Sequence, residues 1–201
     1  MLGARKLANQ MTTEYATHAD ICQIFAADTK PLYLLSFLLT GDDTMAEQCF
    51  VGGLEDSTNG NAVFKEWARS WARRKIIENA IRMVRPKPNH NDTSDGVSHE
   101  RTVRVASERP EISAVVALPA FERFVFVMSV LEGYSIYNCS LLLASTRADV
   151  AAARTRALRD IGISAEFQRE SIELQEQDQR LGRDRDLEDR LKAITTLAVS
   201  A

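Results

Sequence analysis

Between Phe64 and Lys87 the chain sets eight cationic side chains (Lys65, Arg69, Arg73, Arg74, Lys75, Arg82, Arg85 and Lys87) against only two carboxylates, Glu66 and Glu78. Cations of one sign spaced along a helix can follow a phosphate backbone, because each contact releases counterions from the nucleic acid. Asn59 and Asn61, in the polar run just before this stretch, carry amides that can both donate and accept hydrogen bonds. Arg147, Thr155, Arg156 and Arg159 form a second set able to hold phosphates. The formal charge of the 201-residue chain is −3, so charge alone does not drive it onto nucleic acid.

Other chemistry is poorly supplied. His18 and Cys22 stand four apart on one helical stretch, half of a metal site, but no second pair follows. His90 and His99 lie in a stretch rich in Pro, Asn, Asp and Ser, a poor place for a pre-organised base. No glycine-rich phosphate loop or nucleophile elbow occurs. No catalytic residue, cofactor or metal is therefore expected. The three cysteines, Cys22, Cys49 and Cys139, each sit among apolar helical positions and read as buried thiols of a reducing cytoplasm. No apolar run approaches the roughly eighteen residues that span a bilayer, and the N-terminus lacks a signal-peptide core, so a cytoplasmic protein without membrane contact is expected.

Helices must position these cations. From Leu118 to Ile161 the pattern gives three helices with two sharp joints. Phe121, Val125, Met128 and Leu131 share one face of the first, which Glu132-Gly133-Tyr134 ends. Ser135 is placed to cap the second, which turns Cys139, Leu142 and Leu143 inward. Thr146 and Asp149 have capping-box spacing before a third helix, whose inner face is Val150, Ala153, Ala157, Leu158 and Ile161. Two short helices across a tight turn is the helix-turn-helix pattern.

The first half reads as a bundle over 14–85. Tyr15, Ala19, Cys22 and Phe25 lie on one stripe; Pro31 opens a helix apolar nearly all round, which belongs at the centre. It stops at Gly41, and Asp42 or Asp43 caps a helix with Met45, Cys49, Phe50 and Leu54 inward, weakened at its end by Gly52-Gly53. Ser57 to Asn61 reads as a turn. In the basic stretch Phe64, Trp67, Trp71, Ile76 or Ile77, Ala80 and Met83 recur at helical spacing, and two tryptophans four apart read as core. Residues 86–117 lose apolar periodicity and read as a flexible linker, with 101–105 able to extend. Residues 1–13 carry little pattern, and 162–201 form a charged, helix-prone extension. The expected fold is all-α: two small bundles, 14–85 and 118–161, a linker at 86–117 and a helical tail.

The order LYLLSFLLTGD, MAEQCFVGGLED, polar loop, FKEWARSWARRKIIENAIR resembles the second region of bacterial RNA polymerase sigma factors, in the extracytoplasmic-function group of the sigma-70 superfamily. Leu118-Pro119, a long apolar helix, Glu-Gly-aromatic-Ser and a helix-turn-helix resemble the fourth region of the same group. Ala46 and Glu47 match the family's Ala-Glu pair; Phe64, Trp67, Ala72 and Arg73 match its aromatic and Ala-Arg frame. The resemblance implies core RNA polymerase as a partner, met through Glu47, Gln48 and Val51. It implies promoter DNA as a second, with a flipped base facing the loop from Ser57 to Asn61. DNA contacts are then expected from Asn59, Asn61, Lys65, Arg69, Arg73, Arg74, Lys75, Arg147, Thr155, Arg156 and Arg159, and an anti-sigma or other regulatory protein is a further partner.

The chain departs from the family at working positions. After the turn, where members carry basic and polar residues, stand Ala151, Ala152 and Ala153, which offer base edges at best a methyl group. After Ala-Glu, where members carry acidic and amide residues, stand Gln48, Val51, Gly52 and Gly53. Two readings follow: a sigma factor that binds polymerase and promoter, or a sigma-like interaction or regulatory module that no longer reads promoters.

Overall fold

Capping chemistry punctuates the chain. Thr17 Oγ1 accepts from the Asp20 amide at 3.2 Å while the Asp20 carboxylate accepts from the Thr17 amide at 2.8 Å, a reciprocal box that starts α1, His18–Ala27. With the Lys65 ammonium 3.2 Å away as well, the Asp20 carboxyl is held down at about 2, the Thr17 bonds being the larger cause. Helix α2, Thr29–Thr40, closes on Gly41, whose φ of 72° is the left-handed turn a glycine makes without strain. Asp42 then accepts from the Met45 amide at 2.9 Å and opens α3, Asp43–Thr58. A single 3₁₀ turn, Lys65–Trp67, leads into α4, Ala68–Val84.

The remaining helices are α5, Pro110–Val116, and α6, Ala120–Phe126, which runs on through a π-turn at Val127–Leu131. Gly133, with φ 72°, turns the chain, and Ser135 accepts from the Asn138 amide at 3.1 Å to cap α7, Ile136–Leu142. The last helix, α8, covers 147–163 and opens on the Thr146–Asp149 box. This structure, a computed structural model, describes residues 15–88, 110–163 and 166. The fold is all-α, and among the described residues no helix is long and apolar enough to cross a membrane. The expectations for 1–13, for 101–105 and for nearly all of the tail fall outside the described residues. The described residues up to Arg159 form one compact unit, and those from Asp160 onward belong to another.

In the first unit α2 lies at the centre, with Leu32, Leu35, Phe37, Leu38 and Leu39 all buried, as its all-round apolar sequence requires. Helices α3 and α4 pack against it and against each other. The Gly52-Gly53 pair does not weaken α3, which continues to Thr58. Gly53 is what lets α3 approach α4: a Cβ there would lie 2.7 Å from Ile76 Cγ1 and 3.3 Å from the Ile76 backbone. Gly53→Ala is accordingly expected to destabilise the protein by about 1–3 kcal/mol despite alanine's better helix propensity. A urea melt unchanged or improved by this substitution would contradict the close packing.

Several inner faces sit one position away from the periodic reading. In α1 the buried residues are Ile21 and Phe25, while Ala19 is exposed and Cys22 half-buried. Tyr15 precedes the helix, pairs in an isolated bridge with Phe64 and stacks on its ring at 4.6 Å. In α3 the deepest residues are Ala46, Cys49, Gly53 and Ser57, so Ser57 and Thr58 belong to the helix and the turn starts at Asn59. In α4 the core is Ala68, Ala72, Ile76, Ile77 and Ala80. Trp67 is 55% exposed and not core, because the 3₁₀ turn breaks the helical register and small alanines take the tight seam against α3. In the expected linker, 110–116 is helical; apolar Ile112, Val115 and Val116 can pay for ordering this turn against α2.

The two helical blocks meet inside this unit. Helix α2 touches α5, α6 and the π-turn. Arg123, from α6, donates through Nε to Leu39 O at 3.3 Å, through Nη2 to Thr40 O at 3.3 Å, and through Nη1 to Val116 O at 3.0 Å. These carbonyls belong to the last turns of α2 and α5, where helices leave acceptors unsatisfied and present their negative end.

Candidate functional site

Six of the eight cations between Phe64 and Lys87, namely Lys65, Arg69, Arg73, Arg74, Lys75 and Arg82, are brought together along the 3₁₀ turn and α4, and each of the six faces a carboxylate. Lys65 lies 3.2 Å from Asp20 and Arg69 3.4 Å from Asp28. Arg74 and Lys75 share Glu78, each at 2.8 Å, and these two cations hold the Glu78 carboxyl low against the opposing effect of its burial. Arg82, with Asn79, holds Asp56. Arg73 reaches furthest: its Nε donates to Glu132 Oε2 at 2.6 Å and its Nη2 to Oε1, a two-pronged pair with a carboxylate that is 7% exposed. That bond raises the Arg73 pKa and joins α4 to the end of the π-turn.

Asn59 and Asn61 are exposed beside this row, at the turn between α3 and the 3₁₀ segment. Glu47, Gln48 and Val51 are all exposed on α3, the outward edge of the bundle, while Ala46 is buried beneath them.

The helix-turn-helix is assembled by α7, a tight joint and α8. Cys139, Ser140 and Leu143 face inward, with Leu142 only half-buried. Ala144 takes a left-handed φ of 48°, a strained choice for a residue with a Cβ, and makes the corner. In α8, Val150, Ala153 and Ala157 are buried, while Leu158 is exposed. Ala151 and Ala152 face outward with Arg147, Arg154, Thr155 and Arg159. Arg147 lies over the Tyr137 ring at 4.6 Å, and the Thr155 hydroxyl bonds back to Ala151 O. Arg156 points inward instead, donating twice to Glu122 Oε1 at 3.0 and 2.7 Å. Arg154 was missed by the sequence reading, although it stands on the same outward face as Thr155.

Two of the three thiols are buried. Burial lifts Cys49 to about 11 and raises Cys139 as well, so both are protonated at neutral pH. Cys22 Sγ lies 3.5 Å from His18 Nδ1, and among the described residues no group of three or more His, Cys, Asp or Glu could hold a metal ion.

No protein-family model matches the chain, and no curated protein does.

Proposed function

We propose that this chain is a divergent sigma-like transcription protein. It docks on core RNA polymerase through the exposed face of α3, at Glu47, Gln48 and Val51, and meets promoter DNA through α4 and the helix-turn-helix. The observation that carries this reading is the joint between α7 and α8. Ser135 and Thr146 cap the two helices, Ala144 makes the corner, and Arg147, Arg154 and Arg159 stand on the outward side of α8. Such a face holds phosphates and positions a duplex without reading its bases. The protein itself carries out no bond chemistry.

A second reading, a sigma-like interaction module that leaves promoters unread, is favoured by a specific observation. Six cations proposed for DNA, Lys65, Arg69, Arg73, Arg74, Lys75 and Arg156, already face carboxylates of the same chain. Co-purification with core polymerase, followed by a promoter-DNA shift at several salt concentrations, separates the two. The sigma reading expects a polymerase complex that shifts DNA, with Arg154→Ala lowering the salt slope by about one. Polymerase or regulator binding without a shift supports the second reading, and no polymerase association at low salt sinks the first.

A further inference from the structure

Beside α4 lies a cavity of about 470 Å³ that the phosphate-tracking reading does not use. Its walls include Val63, Phe64, Trp67 and Trp71, with Arg74 and Tyr134 completing it. The volume falls within the range of small-molecule sites, and a lining half aromatic, with Ser70, Arg74 and the Tyr134 hydroxyl as its polar groups, is of the usual composition. The wall is pre-organised: Tyr15 stacks on Phe64 at 4.6 Å, and Phe64 meets Trp67 edge-on at 5.3 Å. Trp71 is also fixed, with the Lys75 ammonium over its ring at 4.5 Å.

The charge beside the cavity asks for a ligand of particular chemistry, because it is unbalanced. Arg73 is matched by Glu132, but Arg74 and Lys75 share the single carboxylate of Glu78, leaving one positive charge over. One excess cation suits one anionic group.

We infer that this cavity binds a planar aromatic small molecule bearing one carboxylate, its ring against Phe64, Trp67 and Trp71 and its anion toward Arg74. Tyr134 comes from the turn after the π-helical segment, so the occupied cavity would tie that turn to α4. This assignment stands independently of polymerase binding.

The chain's two tryptophans both line the cavity, which makes them the reporters. The full-length chain labelled with 5-fluorotryptophan is titrated with 2-naphthoate and followed by fluorine NMR. Both resonances are expected to move together and saturate at submillimolar to millimolar concentration. Trp71→Ala removes one aromatic wall, and is expected to weaken binding about fivefold to tenfold as read at Trp67. Arg74→Gln, at a half-exposed position, is expected to weaken it by a similar factor with unchanged thermal melting. Neutral 2-naphthalenemethanol should bind less tightly than the acid. The assignment is overturned by the absence of saturable shifts, by variants that bind 2-naphthoate like the parent, or by equal binding of the neutral alcohol. It is also overturned if a single-stranded oligonucleotide moves both resonances while 2-naphthoate does not, since the cavity then serves a nucleic-acid strand.

Discussion

Replacing Arg123 by methionine is expected to lower the unfolding free energy by about 2–4 kcal/mol. The side chain is largely buried, and burial lowers its pKa, yet it has no carboxylate partner among the bonds it makes. What keeps it charged there is a set of backbone carbonyls: Leu39 and Thr40 at the end of α2, and Val116 at the end of α5. Methionine fills much of the volume but leaves all three acceptors without the guanidinium, inside a packed seam where water cannot easily replace it. Part of the loss is offset because a buried charge is no longer desolvated, which is why the expected figure is below the sum of three orphaned acceptors. Arg123→Lys should recover only a fraction, since one ammonium cannot span two helix ends as a planar fork does. Urea unfolding of the three proteins checks this, and a loss under about 1 kcal/mol for methionine would show that the seam does not depend on the fork.

The second large effect is expected from Glu132→Gln. Arg73 loses its charged partner, and stability should fall by about 1–3 kcal/mol, less than for a fully buried pair because Arg73 is 37% exposed and partly screened by solvent. DNA affinity should move the other way. With Glu132 neutralised, Arg73 becomes available to a phosphate, so binding at low salt is expected to rise about threefold to tenfold, with the salt slope steeper by about one. Arg73→Ala should cancel that gain in the double variant. If Glu132→Gln loses stability while DNA binding stays flat across salt, Arg73 is a structural cation only, and the interaction-module reading gains.

These two expectations locate what periodicity cannot see. The pattern of apolar residues, together with Gly41, Gly133, Asp42, Ser135 and Thr146, marks where helices begin and end, because caps and left-handed turns are local chemistry within three or four residues. The same pattern places Trp67 in the core, where it is not, since Trp67 is the last residue of a 3₁₀ turn whose tighter winding rotates the register by an amount no hydrophobic count reports. Helix 110–116 escaped for a related reason: seven residues are too few to show a period, and α2 supplies the contacts that order them.

By itself, then, the order of residues determined an all-α chain with a central apolar α2, a cationic α4 and a capped helix-turn-helix, each a consequence of neighbours along the backbone. Which of those cations are committed was decided only by tertiary structure. Arg73 and Glu132 are 59 residues apart in sequence, and Arg156 and Glu122 are 34 apart. Coulomb attraction acts on separation in space, so a charge's true partner appears only when the helices have packed.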